Sequence, residues 1–243
     1  MKYLKHFETK TQYESFKGSS DFVLPNVSYC VTENIVIFEN KKENVFIQHI
    51  NGTLYTTKQW ISNNFTNDLA NGVAVITNEA SFVVAKDEFS KVQWYPTNRF
   101  LNDVSFINHS NSVSSVDFSN YVSVARTILD GQSDTNAIVA VASEGAAVEC
   151  NNYVFPNGNK GYLPSIGELL IISDYFTEIN EALTLINGTV FGNYYYFSTT
   201  QEKRKNTANE YNVFVAYPKS SNYITTYSKT QASYVNTRPF AAL

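Results

Sequence analysis

Charge is scarce in this 243-residue chain. Lys and Arg number 18 and Asp and Glu 22, a formal net charge of −4. The charged fraction of 16% is well short of the usual quarter or so. There is no basic block, which excludes a duplex-DNA binder, since such a protein needs Lys and Arg to displace counterions. No apolar run reaches the roughly 18 residues of a membrane span, so membrane insertion is not expected. The first residues, Met1 to Glu8, lack the apolar stretch of a signal peptide. Metal-binding patterns are missing too: His6, His49 and His109 are scattered, and none stands at a ligand spacing such as His-x3-His or Cys-x2-Cys. Two cysteines, Cys30 and Cys150, are too few for a disulfide framework. Buried free thiols are expected over a bridge in a chain made in a reducing cytosol.

Catalytic signatures are equally sparse. The sequence has no Gly-x-Ser-x-Gly, no Walker loop and no dinucleotide fingerprint. Asp174, Glu178 and Glu181 fall at the spacing of a solvated helix face, not of an acid/base pair. The reading is of a protein that is not an enzyme and carries no cofactor.

What is present in excess is neutral and polar or aromatic: 28 Asn, 17 Tyr and 17 Phe. Along the chain, Thr9 to Phe16 reads as a short helix stopped near Gly18. Val27–Val31 and Ile35–Phe38 read as a hairpin around Thr32-Glu33-Asn34. This small helix-hairpin module, residues 1–45, buries too little to stand alone. Residues 46–59 read as a linker or hairpin turning at Asn51-Gly52, the strongest short hairpin signal. Gly72–Ile76 and Ser81–Lys86 form a further strand pair, and Tyr95–Val122 reads as loops with short strands. Asp134 is expected to cap a helix through Val141, and Ala146–Cys150 to be helical. Ser165-Ile166-Gly167-Glu168 has capping-box spacing. A helix over Thr177–Ile186 is expected to end with Gly188 in the left-handed region. Strands follow at Asn193–Ser198, Tyr211–Tyr217, Tyr223–Tyr227 and Tyr234–Leu243, the last buried in a sheet and so sensitive to truncation. The fold class is α+β.

A set of short motifs then resembles a family. These are Phe155-Pro156-Asn157-Gly158, Gly161-Tyr162-Leu163-Pro164-Ser165, Gly167-Glu168-Leu169, Ile179–Leu183, Ile186–Thr189, Tyr195-Tyr196-Phe197-Ser198-Thr199-Thr200 and Arg238–Leu243. Together with Gly72–Ile76 and Phe82–Lys86, they resemble the C-type-lectin-like domains of Bacteroidetes and their phages. The likeness spans residues 60–243. Tyr3-Leu4-Lys5, Tyr13–Phe16 and Pro25–Cys30 are similar to N-terminal segments of virion proteins of phages that infect Bacteroides, including crAss-like phages. The resemblance implies a C-type-lectin-like fold of twisted antiparallel strands with two or three helices, preceded by a virion-anchoring and oligomerisation module. It implies a head or tail fibre or decoration protein, located in the virion, that docks on other virion proteins through its N-terminal module. Assembly as a homo-oligomer, a trimer favoured, would give weak sites avidity. The displayed domain would adhere to bacterial-surface or mucin glycan; the alternative is a purely structural decoration protein without a ligand. Departures restrict the carry-over. The calcium-site motifs Glu-Pro-Asn, Gln-Pro-Asp and Trp-Asn-Asp do not occur. The cysteine pair of the similarly folded sulfatase-modifying enzymes is not matched by Cys30, outside the domain, or by Cys150, ahead of the core helix.

The ligand face is expected in Asn193–Asn236, where 25 of 44 residues are Tyr, Asn, Ser or Thr, the alphabet of binding loops. It is also the alphabet of any β-rich surface. In lectin-like relatives diversified by retroelements this segment is the variable face. Candidate ligand contacts are Gln201, Glu202, Arg204, Asn206, Asn209, Ser220, Ser221, Asn222 and Lys229, with Tyr211, Tyr223 and Tyr227 as aromatic platforms; Tyr195, Phe197, Phe214 and Phe240 are expected to face the core. Lys203-Arg204-Lys205 reads as a solvated hairpin tip. Glu168 and Arg238 are expected to form a buried pair.

Overall fold

The computed structural model describes residues 2–6, 35–39, 43–95, 97, 100–109, 118–204, 212–230 and 235–243. The chain divides into two compact units between Glu43 and Asn44. In the first, strand β1 (Lys2–His6) pairs antiparallel with β2 (Ile35–Glu39), Lys2 opposite Glu39. The expected helix over Thr9–Phe16 and strand over Val27–Val31 lie outside the described residues, as does Cys30.

The second unit is α+β, with two sheets and six α-helices among the described residues. One sheet runs β13-β6-β5-β3-β4, all antiparallel. Its members are β3 (Val45–His49), β4 (Leu54–Tyr55), β5 (Ala70–Ile76), β6 (Ser81–Val84) and β13 (Phe240–Ala242). The β3–β4 hairpin turns at Asn51-Gly52, where Gly52 takes φ +89°, a conformation that costs glycine no steric clash. Because β3 also pairs with β5, the segment from 45 is built into this sheet, and the compact unit begins before Trp60.

The other sheet runs β11-β10-β9-β12-β7 with β8 also on β9. Its members are β7 (Phe89–Ser90), β8 (Phe106–His109), β9 (Tyr195–Arg204), β10 (Asn212–Ala216), β11 (Ile224–Ser228) and β12 (Val235–Thr237). β9 lies parallel to β12 at its start and to β8 at its end. The strand expected over Tyr234–Leu243 is two strands in two different sheets, broken at Arg238-Pro239. Proline offers no N–H to a ladder, so the chain crosses between sheets there.

The helices are α1 (Thr57–Ser62), α2 (Val122–Arg126), α3 (Gly131–Val139), α4 (Ala146–Asn152), α5 (Ile166–Asp174) and α6 (Phe176–Leu185), more than the two or three expected. α1 opens on a capping box: Thr56 accepts from the Gln59 amide and Gln59 returns the bond to the Thr56 amide. The Thr-x-x-Gln spacing was there to read. α5 opens on the Ser165/Glu168 box expected from sequence. Asp134 is not a cap: α3 begins at Gly131, and Asp134 is buried inside it, accepting from Ser105 and from the Thr199 hydroxyl. The left-handed residue after α6 is Asn187, φ +55°, rather than Gly188; asparagine tolerates that region better than most residues.

Both faces of the second sheet are covered. Tyr196, Phe214, Ala216 and Ile224 join a large core with the first sheet, α5 and α6. Phe197, Val213, Val215 and Val235 join a second core with Trp94, Tyr95, Ile138, Ala146, Cys150 and Leu163. Cys150 is a buried free thiol. Glu168 and Arg238 are not partners. The Glu168 carboxylate accepts from the Tyr162 hydroxyl and the Ser165 amide, both at 2.7 Å, whereas Arg238 pairs with Glu88.

Candidate functional site

The register of the last hairpin decides which tyrosines reach solvent. Val213 stands opposite Tyr227 and Val215 opposite Thr225, and Val215 also stands opposite Phe197 on β9. Successive strand residues alternate faces, so Tyr195, Tyr217, Tyr223 and Tyr227 share the face of Phe197, Val213 and Val215. Over those three residues that face is covered by the second core; at the hairpin's outer end the cover runs out.

There the four rings meet. Tyr195 lies 5.6 Å from Tyr217, 6.2 Å from Tyr223 and 5.2 Å from Tyr227, and Tyr217 lies 6.3 Å from Tyr223. These are the spacings at which tilted aromatic pairs attract. Tyr223 is 46% exposed and the neighbouring Tyr194 50%; Tyr195, Tyr217 and Tyr227 are half-buried. Burial, with the Tyr223 hydroxyl beside it, pushes the Tyr195 phenol up to about 12, and Tyr227 is raised by burial as well. Both shifts carry these two phenols further from ionisation, so Tyr195 and Tyr227 offer flat rings and uncharged hydroxyls.

The rim is fixed by polar contacts. Asn193 Oδ1 accepts from Lys219 Nζ at 2.9 Å and from the Tyr217 hydroxyl at 3.4 Å. The turn closes by Ser220 N–H to Tyr217 O at 3.0 Å and Tyr217 N–H to Tyr223 O at 3.1 Å. Asn222, φ +62°, accepts at Oδ1 from Arg126 Nε and Nη2, at 3.3 and 2.8 Å. The same guanidinium is forked on Asp174 at 2.7 and 2.8 Å. The hairpin tip is therefore tied to α2 and α5.

The sequence candidates separate cleanly. Ser220, Ser221, Asn222 and Tyr223 are exposed together on the turn, with Tyr227 behind them. Gln201, Glu202 and Lys229 are corrected: all three are buried, not at loop tips. Gln201 bonds Leu101 in both directions, by N–H to Oε1 at 3.0 Å and Nε2 to O at 2.8 Å. Glu202 accepts from Asn212 Nδ2 at 2.7 Å. Lys229 donates to Gln201 at 2.5 Å and lies over the Trp94 ring. All three side chains are buried and engaged inside the protein, so none is available to a surface ligand. Arg204 ends β9, and Asn206, Asn209 and Tyr211 lie outside the described residues. Sequence reasoning missed Asn193, Tyr194, Tyr217 and Lys219; Tyr195, expected to face the core, packs half-buried against the second core and joins the cluster from there. The signal that finds Tyr217 is the turn Pro218-Lys219-Ser220, which places it across from Tyr223.

Two concave regions lie elsewhere. One of about 540 Å³ is walled by Glu79, Asp130, Ser133 and Tyr162, with Glu168 in its floor; the other, of about 630 Å³, lies between α1 and α6. In the first, every oxygen of Glu168 is engaged by the capping box or Tyr162. Among the described residues no three His, Cys, Asp or Glu side chains gather as a metal site, and no helix is long and apolar enough to cross a membrane. With this geometry as its background, no protein-family model matches the chain, and no curated protein or solved structure matches it significantly.

Proposed function

We propose that residues 44–243 are a C-type-lectin-like domain that binds glycan through the tyrosine face, carried by a phage virion fibre or decoration protein whose N-terminal unit docks on other virion proteins. The observation that carries the ligand-binding part is the Tyr195/Tyr217/Tyr223/Tyr227 cluster standing where the second core ends. Neutral rings with neutral hydroxyls suit a sugar, whose C–H face stacks on the ring while its hydroxyls pair at the edge. The lectin-like fold is supported by the pairing of β6 with β13, Phe82–Val84 against Phe240–Ala242, which brings an early strand and the last strand of the unit side by side.

Glycan-array binding by the assembled full-length protein tests the ligand reading, with Tyr223→Ala as the control. Binding that this variant loses while keeping its unfolding midpoint supports the reading. Absence of binding by the assembled protein favours the alternative, a decoration protein without ligand. Mass spectrometry of purified virions tests location, and absence from the particle sinks both.

A further inference from the structure

The tyrosine rings leave open the charge of what they bind. We propose that the ligand is an acidic saccharide, one sugar lying on Tyr217 and Tyr223 while its carboxylate or sulfate meets Lys219; this deepens the glycan reading above and rests on it.

Lys219 is exposed, and its ammonium is held at 2.9 Å by Asn193 Oδ1, a neutral amide oxygen. No ion pair satisfies it among the described residues. The same Asn193 oxygen accepts the Tyr217 hydroxyl at 3.4 Å, so ammonium and phenol stand two hydrogen bonds apart, within the reach of one substituted pyranose. Arg126, the described cation tied to the hairpin tip, is already paired. It is forked on Asp174 at 2.7 and 2.8 Å, a bidentate geometry that satisfies its charge. The rings add no competing anion: burial moves the Tyr195 and Tyr227 phenols further still from ionisation. A ligand reaching this face therefore meets one uncompensated positive charge beside uncharged hydroxyls. The chain as a whole carries −4, so an anion gains here what it does not gain from the average surface.

The test uses full-length protein on two surfaces: intact mucin, and the same mucin stripped of sialic acid carboxylates and sulfate esters. Wild type should bind the intact surface about fivefold better, the size of an exposed ion pair, with the difference shrinking as salt is raised. Lys219→Gln should bring intact mucin down to the stripped level and leave stripped mucin unchanged. Tyr223→Ala should weaken both. A Lys219→Gln protein that keeps the wild-type preference overturns the acidic-ligand inference and leaves the glycan reading standing. Tyr223→Ala binding like wild type, or wild type binding neither surface, overturns the glycan reading and the inference with it.

Discussion

Arg238 and Glu88 form a sealed ion pair: Nη2 lies 2.6 Å from the carboxylate, with the arginine side chain 0% and the glutamate 13% exposed. The guanidinium also donates to Ala85 O at 3.1 Å and lies 4.2 Å from the centre of the Phe191 ring. Glu88 collects the Tyr196 hydroxyl and Asn236 Nδ2, both at 2.8 Å. Arg238 sits between β12 and β13, where the chain leaves one sheet for the other, so the pair pins that crossing. Removing one partner strands the other. Glu88→Gln should cost about 3–5 kcal/mol because the cation has no route to water, and Glu88→Gln with Arg238→Met should recover much of that loss because no charge is left behind. Urea unfolding of both variants checks this; a double variant less stable than Glu88→Gln alone contradicts it.

Glu168 gives the stability a pH dependence of defined sign. Burial pushes its carboxyl from an ordinary 4.5 up to about 7, against the donors Tyr162 and Ser165, with Asp134 nearby adding to the rise. The folded state holds this proton more tightly than the unfolded chain does. The stabilisation is therefore complete below pH 4.5, is lost as pH rises to about 7, and is flat above. The shift corresponds to roughly 3 kcal/mol. Glu168→Gln should remove most of this slope from urea midpoints measured between pH 4.5 and 7.5. A smaller slope of the same sign should remain from Asp134, whose carboxyl burial also raises.

Gly131 and Gly167 mark where α3, α5 and the chain around Ile128 pack without room for a side chain. A Cβ on Gly131 would lie 2.7 Å from the Ser165 amide nitrogen, and one on Gly167 2.9 Å from Ala125 O and 3.0 Å from Arg126 O. These are backbone atoms and cannot swing aside. Gly167→Ala and Gly131→Ala should each destabilise by about 1–3 kcal/mol, the usual cost of overpacking, visible as lowered thermal midpoints. Ala substituted at Gly158, which has no atom within 4 Å, should meet only the strain of its φ of +89°.

Local signals were the legible ones. Asn51-Gly52 and Ser165–Glu168 specify their turn and cap within four residues, and both stand as read. The tyrosine face was not legible, because its sheet is covered on both sides. Tyr196 and Phe214 face one core and Phe197 and Val215 the other, so β10 is apolar on both faces from Val213 to Ala216 and β9 aromatic on both from Tyr195 to Phe197, and alternation cannot say which face opens to water. Gln201, Glu202 and Lys229 were misplaced for a related reason. Their polarity suggests loops, but Lys229 is paid for by Gln201 28 residues away, and composition does not report such pairings. The true partner of Arg238 is 150 residues distant, with nothing in the spacing to point to Glu88.

Asn222 separates the hairpin's backbone from its tether. It stands at φ +62°, where an alanine is strained by roughly 1–2 kcal/mol and glycine is not. Its Oδ1 also accepts two bonds from Arg126. Asn222→Gly removes the tether and keeps the turn; Asn222→Ala removes both. Asn222→Ala should therefore be the less stable variant, by about 1 kcal/mol once the greater freedom of glycine in the unfolded chain is set against the strain. Both should speed hydrogen exchange at the Tyr223 amide, because Arg126 stays forked on Asp174 and no longer holds the tip. If the tyrosine face is the ligand site, both should also release glycan faster, since Tyr223 would have to be ordered on binding. Equal exchange at Tyr223 in wild type and both variants would mean that the turn's own backbone bonds, not the Arg126 tether, fix the exposed ring.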